Sequence, residues 1–164
     1  MLEPWEHRVR DPRVEPGAVS QIANAEELIR HFGHWPPFED AELVSLHFDR
    51  GNHLAVADRG VWNERQPPAL EAVFYVFNAE VAAESADRRP AHVVLVFAEL
   101  HEVTIEGLNY QNPIQGLGVH IETIGRVNAS CFRVNWGGTG MSHEVSLLCS
   151  EIAVRSVAPL SVSA

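Results

Sequence analysis

The chain has 164 residues, with 22 acidic side chains against 12 basic ones and a formal net charge of −10. The length is typical of one domain with its own hydrophobic core, and 46% hydrophobic with 21% charged residues is the composition of a globular protein. The acidic balance argues against binding to nucleic-acid backbones or anionic membranes, because both need clustered cations.

The first 20 residues are rich in proline, arginine and glutamate without periodicity, which predicts an irregular N-terminal arm. Residues 21–164 form a single predicted domain. A helix is expected from Asn24, a favoured N-cap residue, to Gly33, because apolar residues follow at helical spacing between these positions. Pro36 and Pro37 forbid its continuation.

After the prolines the apolar pattern changes to strict alternation, which is typical of β-strands. The predicted strands cover residues 41–50, 53–57, 70–77, 92–99, 101–108, 119–124, 131–136 and 143–149, and an apolar segment at 152–157 closes the chain. The change of apolar face after Cys149 indicates a β-bulge near Ser150 and Glu151. The fold class is therefore α+β and mainly antiparallel β, with one N-terminal helix packed on a two-layer sheet or curved β-sandwich of about eight strands.

The glycine-rich run at residues 137–140 predicts a hairpin turn between two of these strands. A symmetric turn there places Cys131 opposite Ser146 and Cys149 on the other face of the sheet, which disfavours a disulfide. Both cysteines lie in apolar alternating segments, so they are predicted to be buried thiols rather than nucleophiles.

The N-terminal residues lack the basic start and the apolar run of a signal peptide. The longest apolar run, residues 93–98, is far shorter than the roughly 20 residues of a membrane helix. The sequence therefore predicts a cytoplasmic protein with reduced cysteines, whose partners include neither membrane nor nucleic acid.

No strong catalytic motif is present, and neither catalytic residues nor a cofactor are predicted. The best metal candidate combines His47 and Asp49, on one face of a predicted strand, with His53 across the following turn. Zinc accepts these ligand types, but no residue is fixed as a fourth ligand. Polar residues on a solvent-exposed face are the simpler interpretation.

Three carboxylates, Glu39, Asp40 and Glu42, lie close to the aromatic residues Trp35 and Phe38 at the corner between the predicted helix and the first strand. Aromatic anchors ringed by charges are typical of protein contact sites, so these five residues are the candidate partner-binding set. Two alternatives stay open, namely acid–base chemistry by paired carboxylates and a purely structural corner.

The run 32–43, Phe-Gly-His-Trp-Pro-Pro-Phe-Glu-Asp-Ala-Glu-Leu, resembles the start of the immunity protein 50 family of bacterial polymorphic toxin systems. Residues 97–109 and 144–159 are similar to the middle and the closing strands of that family, so the resemblance covers residues 21–159. The family often has histidine where this chain has Glu39. The resemblance implies a β-rich, non-enzymatic inhibitor that binds a cognate toxin in the cytoplasm of the producing cell.

The leading hypothesis is an immunity protein whose acidic segment, residues 26–106 with 15 acidic residues and 6 arginines, matches a basic toxin surface. The alternative is a small β-sandwich protein or enzyme that binds a metal or a small ligand through His47, Asp49 and His53. A homodimer formed by an edge strand stays open as well, because the sequence does not fix the oligomeric state.

Overall fold

A computed structural model describes residues 13–51, 67–109, 111–124, 129–138 and 143–161 of the chain. These residues contain the helix α1 (Ala25–Phe32) and two short 3-10 helices, Val19–Gln21 and Ala86–Arg88. The strands are β1 (Glu42–Asp49), β2 (Ala69–Val76), β3 (Ala91–Glu106), β4 (Leu117–Ile124), β5 (Ala129–Gly137) and β6 (Glu144–Pro159).

All of these strands belong to one antiparallel sheet in the order β1-β2-β3-β6-β5-β4. The two longest strands, β3 and β6, pair with each other along nearly their whole length at its centre. β2 pairs with residues 91–98 of β3, whereas β5 pairs with residues 144–149 of β6. The sheet therefore has two parts. The first half-sheet contains β1, β2 and the ends of β3 and β6 that pair beside β2, and the second half-sheet contains β4, β5 and the opposite ends.

The pairing of β3 with β6 slips by one residue at two points. His101 is the extra residue on β3, and Arg155 is the extra residue on β6. Near the slip at His101, Glu99 adopts a left-handed backbone conformation with φ of 52°. Bulges bend a strand and increase its twist, so the two half-sheets can turn toward each other.

Trp136 on β5 joins the two half-sheets and is only 1% exposed. Its ring centroid lies 5.3 Å from that of Phe74 on β2 and 5.7 Å from that of Phe97 on β3. Phe38, from the loop after α1, extends the cluster, with its centroid 5.5 Å from that of Phe74. Because these rings come from both half-sheets, the two inner faces meet in one core.

Burial alternates along β2 and along the part of β3 that pairs with it. The buried residues define the inner face, and the partly exposed residues between them define the outer face. The inner-face residues are Leu70, Ala72, Phe74 and Val76 on β2 and Ala91, Val93, Leu95 and Phe97 on β3.

The helix α1 packs beside β6 and ends at Gly33, which has the predicted left-handed conformation with φ of 85°. Ala23 and Asn24, the two residues before the helix, lie beside β6 and bond to its backbone. Ala23 donates its N–H to the Ile152 carbonyl and accepts from the Val154 N–H, both at 2.9 Å. Asn24 occupies the predicted N-cap position, but its side chain donates to the Val154 carbonyl at 3.3 Å instead of capping the helix.

Chain segments also cover parts of the two sheet edges. At β4, Glu15 donates its N–H to the Val119 carbonyl at 2.8 Å. At β1, Leu43 donates its N–H to the Asn112 carbonyl at 2.9 Å. Part of the predicted irregular arm therefore belongs to the fold, and Ala18 in this segment is fully buried.

The α+β class and the mainly antiparallel architecture are confirmed. The expected count of about eight strands becomes six among the described residues. Predicted strands 92–99 and 101–108 are one strand, β3, and segments 143–149 and 152–157 are one strand, β6. On β3 the extra residue His101 lies between the two predicted segments, so one long strand has the pattern of two short ones. On β6 the bulge predicted near Ser150 and Glu151 is wrong, because the extra residue of this strand is Arg155. Predicted strand 53–57 lies outside the described residues.

The hairpin of β5 and β6 differs from the prediction in register. Ser146 pairs with Asn135 instead of Cys131, and the last pair of the ladder joins Gly137 to Glu144. Gly138 also donates its N–H to the His143 carbonyl at 3.2 Å, so the turn predicted at residues 137–140 is wrong, and the strands are joined by residues 139–142, which lie outside the described residues. Register depends on which side chains the core accepts, and that choice involves strands far apart in the sequence.

We expect Trp136→Ala to lower the free energy of unfolding by about 3–5 kcal/mol, because it leaves a cavity where the half-sheets meet. Phe48→Ala is the matched control, since this aromatic side chain on β1 is 51% exposed and should lose much less. Urea unfolding followed by circular dichroism measures both changes. Equal losses in the two variants would contradict the central position of Trp136.

Candidate functional site

The predicted partner-binding corner lies between α1 and β1. Two of its residues have a left-handed backbone, Phe38 with φ of 60° and Asp40 with φ of 59°. Asp40 donates its N–H to the Ile114 carbonyl at 3.0 Å, and Ile114 donates to the Ala41 carbonyl at 2.8 Å. The left-handed conformation costs about 1–3 kcal/mol for a bulky residue such as phenylalanine. Packing and hydrogen bonds around the corner therefore hold its shape.

Neither aromatic residue of the corner is a free surface anchor. Phe38 is 1% exposed and packs on Phe74, so its predicted role in partner contact is corrected: the ring belongs to the core. Trp35 is partly buried, with its ring centroid 6.0 Å from that of Phe38. Its indole nitrogen is buried and has no hydrogen-bond partner within the part of the chain that the structure describes. The two rings pack against each other and help to hold the shape of the corner.

The three carboxylates of the corner, on Glu39, Asp40 and Glu42, are exposed. Within the described part of the chain, none of them forms an ion pair. On α1, by contrast, the Glu27 carboxylate is bound by Arg30 at 3.0 Å. The corner therefore presents uncompensated negative charge at fixed positions, which attracts a cationic surface.

The proposed metal ligands His47 and Asp49 are exposed on β1 and share one face of it. The Asp49 carboxylate accepts a hydrogen bond from the Gly51 N–H at 2.8 Å. His53, the third residue of the set, lies outside the described residues. Across the described ranges, no group of three or more His, Cys, Asp or Glu side chains is arranged to hold a metal ion.

Arg133 on β5 links three strands of the second half-sheet. Its Nη1 lies 3.0 Å from the Glu102 carboxylate on β3, and its Nε lies 2.9 Å from the Glu122 carboxylate on β4. Burial lowers the pKa of Arg133, but the hydrogen bonds to both carboxylates outweigh burial, and the pKa is raised. This arrangement is a cross-link between strands rather than a free binding site.

His143, the residue before β6, is 1% exposed, and neither of its ring nitrogens has a hydrogen-bond partner among the described residues. Burial lowers the pKa of this histidine, because the charged imidazolium loses its hydration in the core. The sequence signal that locates it is alternation, since His143, Val145 and Leu147 are spaced to face the same side and all are buried.

Both cysteines are buried free thiols. Burial raises the pKa of Cys131, and burial raises the pKa of Cys149 to about 12. The Cys131 thiol donates a hydrogen bond to the Glu122 carbonyl at 3.3 Å. Nucleophilic chemistry needs the thiolate, which both environments disfavour.

No helix within the described ranges has the length and apolar character needed to cross a membrane. Comparisons with protein-family models, curated proteins and solved structures give no match for this chain. The resemblance to the immunity protein 50 family therefore stays a prediction that rests on the chain's own residues, above all those of the corner.

We expect the stability of the fold to fall in mild acid because of His143. Its folded pKa lies below the ordinary value of 6.5, so the stability from the neutral form is present above that value and is lost as the pH falls through the lowered pKa. His143→Phe removes the titrating group and should flatten the pH dependence of the unfolding free energy relative to that of the native chain. Urea titrations across this pH range test the difference, and an unchanged slope in His143→Phe would refute the assignment.

We expect the two thiols of the chain to react slowly with dithionitrobenzoate at neutral pH, because burial and raised pKa values keep them protonated. In denaturant, both should react at the rate of a free cysteine. Absorbance of the released thiolate follows the two reactions. Rapid labelling of either cysteine in the native protein would contradict this expectation.

Proposed function

We propose that the chain is a non-catalytic immunity protein that binds and neutralises a cognate polymorphic toxin in the cytoplasm of the producing cell. The observation that carries the proposal is the corner, where exposed carboxylates on Glu39, Asp40 and Glu42 stand on a backbone held by a core aromatic residue and by hydrogen bonds. The resemblance of residues 32–43, which include the corner, to the immunity protein 50 family also supports it.

A fixed acidic corner favours fast and specific association with a basic protein. Long-range attraction raises the rate of productive encounter, and the effect is strongest at low ionic strength. Because the backbone is already ordered, less conformational entropy is lost when a partner docks. The toxin partner that we propose therefore has a basic binding surface, as a nuclease has.

The burial of both cysteines and of His143 argues against catalysis by these three groups. His143, Cys131 and Cys149 carry groups suited to acid–base or nucleophilic chemistry, and all are buried. Their pKa shifts favour the neutral forms. A rigid core under an acidic surface is what an inhibitor that occludes a toxin requires.

The test uses the double substitution Asp40→Arg with Glu42→Arg. The proposed toxin is to be sought in the genes beside this one. We expect the association of the double variant with its toxin domain to slow by about tenfold at low salt, with a smaller change in dissociation. Stopped-flow mixing measures the association rate, and survival of cells that express the toxin measures neutralisation.

The matched control, Glu80→Arg with Glu84→Arg, makes the same change of charge at two exposed positions in the loop between β2 and β3. It should slow association less than the corner substitution does. Equal slowing by both pairs would mean that net charge, not the corner, guides binding. Failure of the native chain to bind or neutralise the toxin would reject the proposed function.

A further inference from the structure

The outer face of the first half-sheet is apolar at its centre, although the described helix packs beside β6 and not on this face. The outer residues of β2 and of the adjoining part of β3 are all partly exposed, whereas their inner-face neighbours are fully buried. They are Ala69, Glu71, Val73 and Tyr75 on β2 and His92, Val94, Val96 and Ala98 on β3.

This composition differs from that of an ordinary solvated sheet. When one face of an antiparallel sheet meets water, its side chains are normally polar. Here Val73 pairs directly with Val94, and Val96 continues the row along β3. Tyr75 adds an aromatic ring whose centroid lies 6.2 Å from that of His92. We call Val73, Tyr75, Val94 and Val96 the apolar strip.

Acidic residues border the apolar strip. Glu42 and Asp49 lie near the two ends of β1, and Glu151 lies on β6, where it pairs with Ala98. The one arginine among the described strand residues of this face, Arg155, is bound by the Glu71 carboxylate. Beyond one end of the strip, the Tyr75 ring centroid lies 5.6 Å from that of Phe77, and the Arg88 guanidinium lies 4.0 Å from the Phe77 ring centroid. The face therefore combines an apolar centre with a rim that is mainly acidic and has one cation at the Tyr75 end.

The outer face of the second half-sheet shows that this character is local. There, Thr104 pairs with Ser146, and Arg133 is shared by the Glu102 and Glu122 carboxylates. Polar pairs and ion pairs suit a face that stays in water. The two outer faces of one sheet thus differ in their exposed side chains, and covering the apolar strip gains more free energy than covering polar pairs.

We propose that the apolar strip is the docking surface for the toxin, a basic protein that sets apolar side chains on the strip and cationic side chains against its acidic rim. This inference rests on the proposed function and extends it. Glu42 belongs both to the corner and to the rim, because it pairs with Tyr75, so the two surfaces are continuous. An apolar centre with aromatic anchors inside a charged rim is the usual anatomy of a protein interface.

The test compares the native chain with a double variant, Val94→Arg with Val96→Arg. This variant places two cations where a basic partner would bind. We expect the affinity for the toxin domain encoded beside this gene to fall by about tenfold or more, with faster dissociation. A second variant, Val73→Thr with Val94→Thr, keeps the β-branched shape and so protects folding, and it should lose affinity in the same direction. Calorimetry measures affinity, and circular dichroism with thermal unfolding checks each fold.

The matched control is Thr104→Arg with Ser146→Arg, the same change of charge on the outer face of the second half-sheet. Its affinity for the toxin domain should stay within about twofold of native. A second probe, a ten-residue peptide of alternating arginine and valine, should bind native chain and the control more tightly than it binds the strip variants. The corresponding glutamate–valine peptide should bind none of them.

The outcomes separate this inference from the proposed function. Equal toxin affinity in native chain and strip variants overturns the inference and leaves the proposed function standing. If native chain does not neutralise the toxin, the proposed function is rejected. If the strip variants then still lose binding of the arginine–valine peptide, the strip is supported as a site for basic apolar sequence. A dimer of native chain in light scattering that the strip variants abolish would assign the strip to a second copy and overturn the inference.

Discussion

The contact of Trp136 with Phe74 and Phe97 is the constraint on which the rest of the molecule depends. It joins β5 of the second half-sheet to β2 and β3 of the first, so a single sheet must fold over on itself. Such a bend needs long central strands with local irregularity, and His101 and Arg155 provide one extra residue on each. The core buries both inner faces, so the surfaces that remain for a partner are the corner and the outer faces.

Local patterns predict most of the fold, because alternation and capping signals need only neighbouring residues. The helix between Asn24 and Gly33 and the general positions of all described strands follow from them. The continuity of β3 and of β6 does not, since the apolar alternation is interrupted within each strand and only their mutual pairing shows one strand where two are expected. The register of the β5–β6 hairpin escapes prediction for the same reason: the core sets it from a distance.

Of the candidate site, only the exposure of its charged side chains is predictable from the sequence. Exposure of Glu39, Asp40 and Glu42 follows from the cost of burying carboxylates, but nothing local says whether Phe38 turns outward or into the core. The exposure of the apolar strip is not predictable from the sequence for a related reason. Val94 and Val96 lie in a strand that is apolar on both faces, which predicts burial on both sides, whereas the structure covers one side with described residues.

Strand β6 is the last of the described strands to be synthesised, yet it lies at the middle of the sheet, between β3 and β5. Until residues 144–159 have left the ribosome, the first three strands and the β4–β5 hairpin have no strand to join them. Pairings across such long sequence separations form slowly and leave strand edges open meanwhile. The nascent chain therefore cannot complete its core before β6 is made, and a product that stops before β6 exposes an unpaired edge on β3 and another on β5 to proteases and chaperones.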